Sequence, residues 1–296
     1  MKSYLIGIDG GGSKTEFMLC DLGLNEVARH LAGRSNPNDT GIDACADMLT
    51  AGVKTLCEKA DVKTENIAAA FAGIAGITAD DYIIPIEQAL KKALPNAAVA
   101  ALHDGTNVLY GAFPDSDGVS VICGTGSSCF VKKSGEVIRI GGYGTLDLCG
   151  NGYEIGRAAL AHALKTVDGR EKEGMLEEIL HERFGADFLD ALNRMLALSK
   201  NETAALAREA VFPAAERGDK AALAIIDANM EYIASLIKRA GDYFEGGYGV
   251  ALAGGIFNDT LACETLKAKI PARAKLVKLD RSPAFGAAAR AKQLLT

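Results

Sequence analysis

An α/β fold in two domains is what this sequence predicts, and three observations carry the prediction. Short apolar runs of strand character alternate with stretches of helical periodicity. A strand-like run, a Gly-x-Gly-Ser turn and a second strand-like run occur twice: Gly10, Gly12 and Ser13 recur as Gly124, Gly126 and Ser127, each 114 residues further on. The chain has 296 residues, 49% apolar and 24% charged, enough to bury two cores of ordinary size. No low-complexity linker separates the halves. The division expected is residues 1–112 plus 283–296 in one domain and 113–282 in the other.

The first half reads as follows. Residues 3–8, 16–22 and 27–32 have strand character, the last two joined by a turn at "GLNE". "SNPND" (35–39) is expected to be loop, because Pro37 and its polar neighbours break regular structure. Residues 41–60 have helical spacing, and 66–76 form a buried strand ending in glycine. Residues 80–94 are helical, with Pro85 tolerable only near the first turn. Residues 98–105 form a strand ending at Asp104.

The second half repeats the beginning. Residues 118–142 read strand, glycine turn, strand, turn, strand. A helix-rich stretch covers 151–243. "YGVALAGGIFND" (248–259) reads strand, glycine turn, helix start, and 274–280 is a strand. Residues 282–295 form a helix with Ser282 as N-cap and Pro283 at its first position.

"IGIDGGGSKTEF" (6–17) has the glycines of a phosphate-binding turn, and three designs compete for it. A Walker A loop needs Lys where Ser13 stands. A dinucleotide fingerprint must open a helix, whereas "EFMLC" reads as a strand. The remaining design is a β-hairpin whose glycine tip wraps phosphate with backbone N–H groups. Its recurrence at 124–127 gives one such hairpin per domain, a pair able to clamp a nucleotide's phosphate tail. Gly254 and Gly255 in "ALAGGIFND" would let backbone approach a flat ligand such as adenine or ribose.

Several function classes are disfavoured. The net charge is -6 with no basic block, which argues against nucleic acid. The N-terminal apolar run is broken by Gly7, Asp9 and Gly10, so no signal peptide is expected. No run reaches the roughly 18 apolar residues of a membrane span; a cytoplasmic protein is expected. The cysteines are Cys20, Cys45, Cys57, Cys123, Cys129, Cys149 and Cys263, with no CxxC or Cys/His zinc spacing. Reduced, mostly buried thiols are the expectation.

At these motifs the chain resembles the actin-like ATPase superfamily, a two-domain ribonuclease H-like fold with a mixed sheet in each domain, flanking helices and an interdomain cleft. "IGIDGGGSKTEFMLCD" resembles its first phosphate motif, "GVSVICGTGSSC" the second, "ALAGGIFN" the adenosine motif and "SPAFGAA" the closing helix. More narrowly it resembles the BadF/BadG/BcrA/BcrD ATPase family, which contains kinases of N-acetylglucosamine and related amino sugars. The resemblance implies ATP and Mg²⁺ as cofactors, a small sugar as substrate, and a homodimer. It implies phosphate contacts from Gly11, Gly12, Ser13, Lys14 and Thr15 and from Gly124, Thr125, Gly126 and Ser127. It implies adenosine contacts from Gly254, Gly255 and Asn258.

Phosphoryl transfer to a hydroxyl needs a base, a metal on the phosphates and donors on the transferring oxygens. Asp104 in "LHDGTN" ends a strand before Gly105, and the resemblance makes it the base for the sugar's 6-hydroxyl. Asp9, ending the first strand, would hold Mg²⁺ through water, since this cation keeps much of its hydration shell. Asn36, Ala75, Gly76, Tyr143, Gly144 and Asp147 match positions that line the family's sugar pocket. The family's "GDEGS" acid is missing: "GGYGTLDLCGNGYEIG" offers Asp147 as the only nearby carboxylate before Glu154. Two alternatives therefore stand beside the kinase. One is an ATPase activator of a 2-hydroxyacyl-CoA dehydratase or benzoyl-CoA reductase type of partner, a type that carries a cysteine-bound iron–sulfur cluster. The other is a catalytically silent sugar-binding protein. The zinc motif of the related ROK sugar kinases is absent from the sequence.

Overall fold

In a computed structural model of the chain, residues 3–77, 80–147, 149–185, 187–277 and 279–296 are described. Two compact units are present, Met1–Ser120 with Val277–Thr296, and Val121–Leu276.

The first unit is built on β1 (Tyr4–Gly10), β2 (Thr15–Asp21) and β3 (Glu26–Ala32), then α1 (Pro37–Thr40), α2 (Ile42–Lys59), β4 (Ile67–Ile74), α3 (Asp80–Ala93), β5 (Ala98–His103) and α4 (Gly105–Ala112). Its sheet runs β3-β2-β1-β4-β5. The β1/β2 and β2/β3 pairs are antiparallel, and the β1/β4 and β4/β5 pairs parallel. Strand alternation distributes the core. Ile6 and Ile8 face one layer, packing with Leu49, Val53 and Leu56 of α2 and Ile86 and Leu90 of α3. Leu5 faces the opposite layer with Met18, Cys20 and Phe71.

The second unit contains β6 (Gly118–Cys123), β7 (Ser127–Lys133) and β8 (Glu136–Ile140), followed by six helices. These are α5 (Gly152–Val167), α6 (Met175–Phe184), α7 (Phe188–Leu196), α8 (Lys200–Leu206), α9 (Phe212–Glu216) and α10 (Lys220–Ala240). Then come β9 (Tyr248–Ala253), α11 (Thr260–Lys269) and β10 (Ala274–Val277). The sheet order is β10-β9-β6-β7-β8. Read from the other edge, this is the arrangement of the first sheet, with β6 in the place of β1. The internal repeat in the sequence is thus a repeat of sheet topology.

The chain ends in α12 (Pro283–Gln293), which returns to the first unit and covers Leu5, Met18 and Phe71 with Ala284, Ala287, Ala288 and Ala291. Its N-cap is Ser282, with Pro283 starting the helix as expected. Small residues matter because the approach is close. A Cβ on Gly7 of β1 would lie 2.2 Å from the Ala284 carbonyl oxygen, and one on Gly286 would lie 1.9 Å from that of Asn107 in α4.

Four local expectations change. Residues 37–40 form one helical turn instead of loop, with Asn36 as N-cap and Pro37 at the first position. The strand expected to reach residue 105 ends at His103, and α4 follows at once. Pro85 sits inside α3, beyond its first turn, leaving the Asp81 carbonyl without its usual i+4 donor. The strand expected over 274–280 is Ala274–Val277; Leu279 and Asp280 are not strand, and Lys278 lies outside the described residues.

Candidate active site

Three neighbouring parallel strands, β1, β4 and β5, end on the same edge of the first sheet. Ligands of open α/β sheets bind outside such carboxyl ends. Register places Asp9 beside Gly73 and Ile74 beside His103. Asp9, the Ala75–Gly76 turn and Asp104 therefore emerge together.

The β1/β2 hairpin tip is residues 11–14, closed by the Gly11 N–H donating to the Lys14 carbonyl at 2.9 Å. It is pinned from behind: Ala75 N–H donates to Gly10 O at 2.7 Å and Ser35 N–H to Gly11 O at 3.0 Å. Ser13 and Lys14 are exposed. Thr15 is not; its hydroxyl donates to Gly33 O at 2.7 Å and lies 2.9 Å from the Ser35 hydroxyl, so it braces the tip from inside.

Asn36 and Gly76 lie side by side. Asn36 Oδ1 accepts the Asn38 N–H at 3.0 Å, and Asn38 Nδ2 donates to Gly76 O at 3.1 Å. Gly76 has φ +87°, and a Cβ there would lie 2.2 Å from Asn36 Oδ1. The Asn36 oxygen is thus partly committed to the turn. Asn38, which sequence reasoning passed over, is what ties that turn to Gly76.

Asp104 occupies the N-cap position of α4 without capping it. Its Oδ1 is buried and lies 2.5 Å from His103 Nδ1. Asp9 Oδ1 accepts a 2.7 Å hydrogen bond from Asn107 Nδ2. Burial pushes the Asp9 carboxyl up to about 7, and the charges of Asp104 and Glu16 add to the rise, while the Asn107 hydrogen bond and Lys14 oppose it. A carboxylate that burial and like charge both destabilise is one that a cation would relieve. Among the described residues no cluster of three or more metal-ligating side chains exists. A cation here would take most of its oxygens from phosphate and water, which suits Mg²⁺ better than a cation needing a full protein cage.

In the second unit the β6/β7 tip is residues 124–126, one residue shorter than the first, closed by Gly124 N–H to Gly126 O at 2.9 Å. The N-terminus of α5 docks on it: Gly152 N–H donates to Gly124 O at 2.8 Å and Tyr153 N–H to Thr125 O at 3.2 Å. Asn151 caps that helix through the Glu154 N–H. A helix N-terminus beside a glycine tip suits an anion. Thr125 Oγ1 donates to Asn201 Oδ1, and Ser127 Oγ to Cys149 O. Gly254 has φ +99°, and a Cβ there would lie 2.4 Å from the Cys123 carbonyl oxygen, so the adenosine-motif turn abuts the second hairpin's base. Gly255 and Asn258 are exposed on the turn that follows.

Tyr143, Gly144 and Asp147 also lie in the second unit. Tyr143 is 60% exposed and stacks on the Arg139 guanidinium. Asp147 Oδ2 accepts the Gly142 N–H at 2.6 Å and the Tyr143 N–H at 3.4 Å, so the carboxylate holds its own turn. Leu148, within the divergent segment 145–151, lies outside the described residues. Cys123, the cysteine nearest the second tip, is fully buried and its thiol donates to Gly150 O.

A profile of the BadF/BadG/BcrA/BcrD ATPase family matches residues 6–291. An N-acetylmuramic acid/N-acetylglucosamine kinase of Clostridium acetobutylicum is 30% identical over 211 residues, 69% of each chain. An N-acetyl-D-glucosamine kinase of Dictyostelium discoideum is 30% identical over 200 residues, 62% of this chain and 60% of its own length. Among solved structures, a provisionally assigned N-acetylglucosamine kinase of Chromobacterium violaceum superposes with a TM-score of 0.76 at 23% identity, over 100% of this chain and 99% of the other. A ROK-family glucokinase of Streptomyces griseus, solved with glucose and AMPPNP, gives 0.65 at 15% identity, over 98% and 99%. The structural likenesses show a shared two-sheet α/β fold, and with a profile spanning both glycine hairpins and reaching into the closing helix, the chain belongs to the BadF/BadG/BcrA/BcrD ATPase family.

Proposed function

We propose that this protein is an ATP-dependent kinase that transfers the γ-phosphoryl group to a hydroxyl of N-acetylglucosamine or a closely related amino sugar, through the 6-hydroxyl. The carrying observation is the pair Asp9 and Asp104 at the carboxyl ends of β1 and β5, on either side of β4, beside a glycine hairpin. The names of the two relatives at 30% identity point to the same chemistry.

In this reading Asp104 accepts the proton of the attacking hydroxyl as its oxygen bonds to the γ-phosphorus and the bond to the β-phosphate oxygen breaks, releasing ADP. Gly12, Ser13 and Lys14 donate to phosphate from one tip, and Thr125, Gly126 and Ser127 from the other, while Gly11 and Gly124 spend their N–H groups closing the two tips. Thr15 braces the first tip. Gly254, Gly255 and Asn258 border the adenosine. Asp9 would hold Mg²⁺ through water, and the cation would supply charge neutralisation on the phosphates. Asn36, Ala75 and Gly76 bind sugar hydroxyls, with Tyr143 and Gly144 against a sugar face. Asp147 acts on the sugar through the turn it holds. A cytoplasmic homodimer completes the proposal. A second reading, a silent sugar binder, is favoured by one observation: the only carboxylate near the missing family acid is already engaged with Gly142 and Tyr143.

The test is ADP release with Mg·ATP against N-acetylglucosamine, N-acetylmuramic acid, glucosamine, N-acetylgalactosamine and glucose, with Asp104→Asn as control. Turnover on one sugar that vanishes in the control is expected. Sugar binding without turnover on any of them would replace the kinase with the silent binder.

A further inference from the structure

Asn107 is fully buried in the first turn of α4. Its Nδ2 reaches three acceptors: Asp9 Oδ1 at 2.7 Å, Gly73 O at 3.1 Å and Ile8 O at 3.3 Å. All three groups only accept once Asp9 is ionised, so the carboxamide can face them only with its nitrogen. The same residue's backbone N–H donates to Asp104 O at 2.9 Å. One residue therefore ties the turn bearing Asp104 to the carboxylate of Asp9.

The carboxamide has no room to swing. It lies against Gly73, where a Cβ would sit 2.1 Å from Asn107 Oδ1. Gly286 of α12 packs against the backbone carbonyl of Asn107, where a Cβ would lie 1.9 Å from its oxygen, and fixes the turn that carries the side chain. Asn107 Oδ1 is buried and has no hydrogen-bond partner among the described residues. A core asparagine retained for packing alone would be expected to satisfy both ends, since a buried unpaired acceptor is costly. Here the oxygen goes unpaired while the nitrogen is spent on Asp9 and the two strand ends.

We propose that Asn107 is a positioning residue for phosphoryl transfer: it sets the orientation of the Asp9 carboxylate and its spacing from Asp104, so that Asp9 Oδ2 is presented to the divalent cation accompanying the nucleotide. The proposal rests on the kinase reading. The Asp9 and Asp104 carboxylates, at the ends of β1 and β5 on either side of β4, repel as like charges, and without a fixed donor Asp9 would turn away from Asp104. Asn107 touches neither sugar nor nucleotide in this scheme; it acts through Asp9.

Two variants test it. Asn107→Leu keeps the volume and removes the donor. Gly73→Ala keeps Asn107 but displaces its carboxamide from the strand side. The first readout is binding of a non-hydrolysable ATP analogue by calorimetry, with Mg²⁺ and with EDTA. The second is the split between kcat and the KM for sugar. In both variants the Mg²⁺-dependent tightening should fall severalfold while affinity in EDTA stays unchanged. Turnover should fall about 10- to 100-fold, the scale of a misplacement near 1 Å, with the sugar KM within about twofold. Variants that only melt earlier, keeping the Mg²⁺ effect and kcat near wild type, would make Asn107 a packing residue and overturn the proposal. So would a wild-type protein whose nucleotide binding ignores Mg²⁺. If Asn107→Leu does not fold, Gly73→Ala decides. A wild type that binds Mg·nucleotide but phosphorylates no sugar would sink the kinase reading alone, and the calorimetric comparison would still judge Asn107.

Discussion

Asp9 and Asp104 make opposite demands on the protein that carries them. Asp104→Asn keeps the shape of the side chain and loses the proton acceptor. It should fold as the wild type and lose roughly 10²–10⁴ in kcat, the usual span for general-base catalysis; steady-state turnover checks this, and near-normal activity would remove Asp104 from the mechanism. Asp9 is held at a cost in stability. Its carboxyl rises from the ordinary 3.8 to about 7, mainly through burial. Between those pH values the folded protein holds a proton that the unfolded chain has released. Stability should therefore fall as pH rises from about 4 to 7 and level off above. In EDTA, Asp9→Asn should flatten that slope and melt later than the wild type above pH 7, the two converging near pH 4. Urea melts across pH would show it, and an unchanged slope in the variant would assign the pH dependence to other groups. Asp9 and Asp104 stood out in the sequence because each precedes a glycine at the close of an apolar run. Asn107 did not. All of residues 105–110 are buried, so α4 shows no amphipathic period, and the Gly, Thr and Val within it are weak helix formers. With the helix unseen, nothing marked the residue at its first turn.

At the scale of elements, the strands and their succession along the chain were legible, the helix boundaries less so, and the strand order within each sheet came only from the structure. Period-two alternation in Leu5, Ile6 and Ile8, and the repeated Gly-x-Gly-Ser, are sequence-local and survive into the structure as β1 and the two hairpins. The turn at 37–40 carried a real signal, Asn then Pro, in the N-cap and first helical positions, but a single turn is too short for periodicity to report. The long helical stretch resolved into six helices because its breaks fall at Gly185, Gly218 and capping residues such as Asp187, Ser199 and Asp219, whose meaning depends on what they cap. The resemblance placed residues 283–296 with the first domain, but the closeness of the seam between β1 and α12 could not be read from local pattern, since it brings residues nearly 280 apart into contact. There Gly7 admits the helix backbone: a Cβ would meet Ala284 O at 2.2 Å and Ala288 N at 2.3 Å. Backbone cannot move aside as a side-chain tip can. Gly7→Ala should therefore destabilise by at least the roughly 1–3 kcal/mol typical of overpacking, read as a lower melting temperature. An unchanged melting temperature would mean that α12 does not seat as closely as described.

The whole chain is threaded so that its last helix completes its first unit. Residues 1–120 hold nine of that unit's ten numbered elements, yet one face of the sheet is covered only when α12 returns from the end of the second unit. Leu5, Met18, Cys20, Ala69 and Phe71 find their packing partners in Ala284, Ala287, Ala288 and Ala291. A chain stopped after Arg281 would leave that face in water. Losing burial of a large apolar side chain costs about 1.5–3 kcal/mol, so three such residues together rival the roughly 5–15 kcal/mol that holds a typical domain folded. The second unit is continuous from Val121 to Leu276 and keeps its own core, including Ile155, Leu206 and Ile233. Deletion of residues 282–296 should therefore unfold the first unit and spare the second. Hydrogen exchange would show it as lost amide protection in β1, β2 and β4, with α5 and α10 still protected, and nucleotide-dependent protection at Asp9 and Asp104 would disappear with the first unit. Protection retained in β1 and β4 would show that the sheet holds without its closing helix. In that case α12 would be cover for an already stable unit.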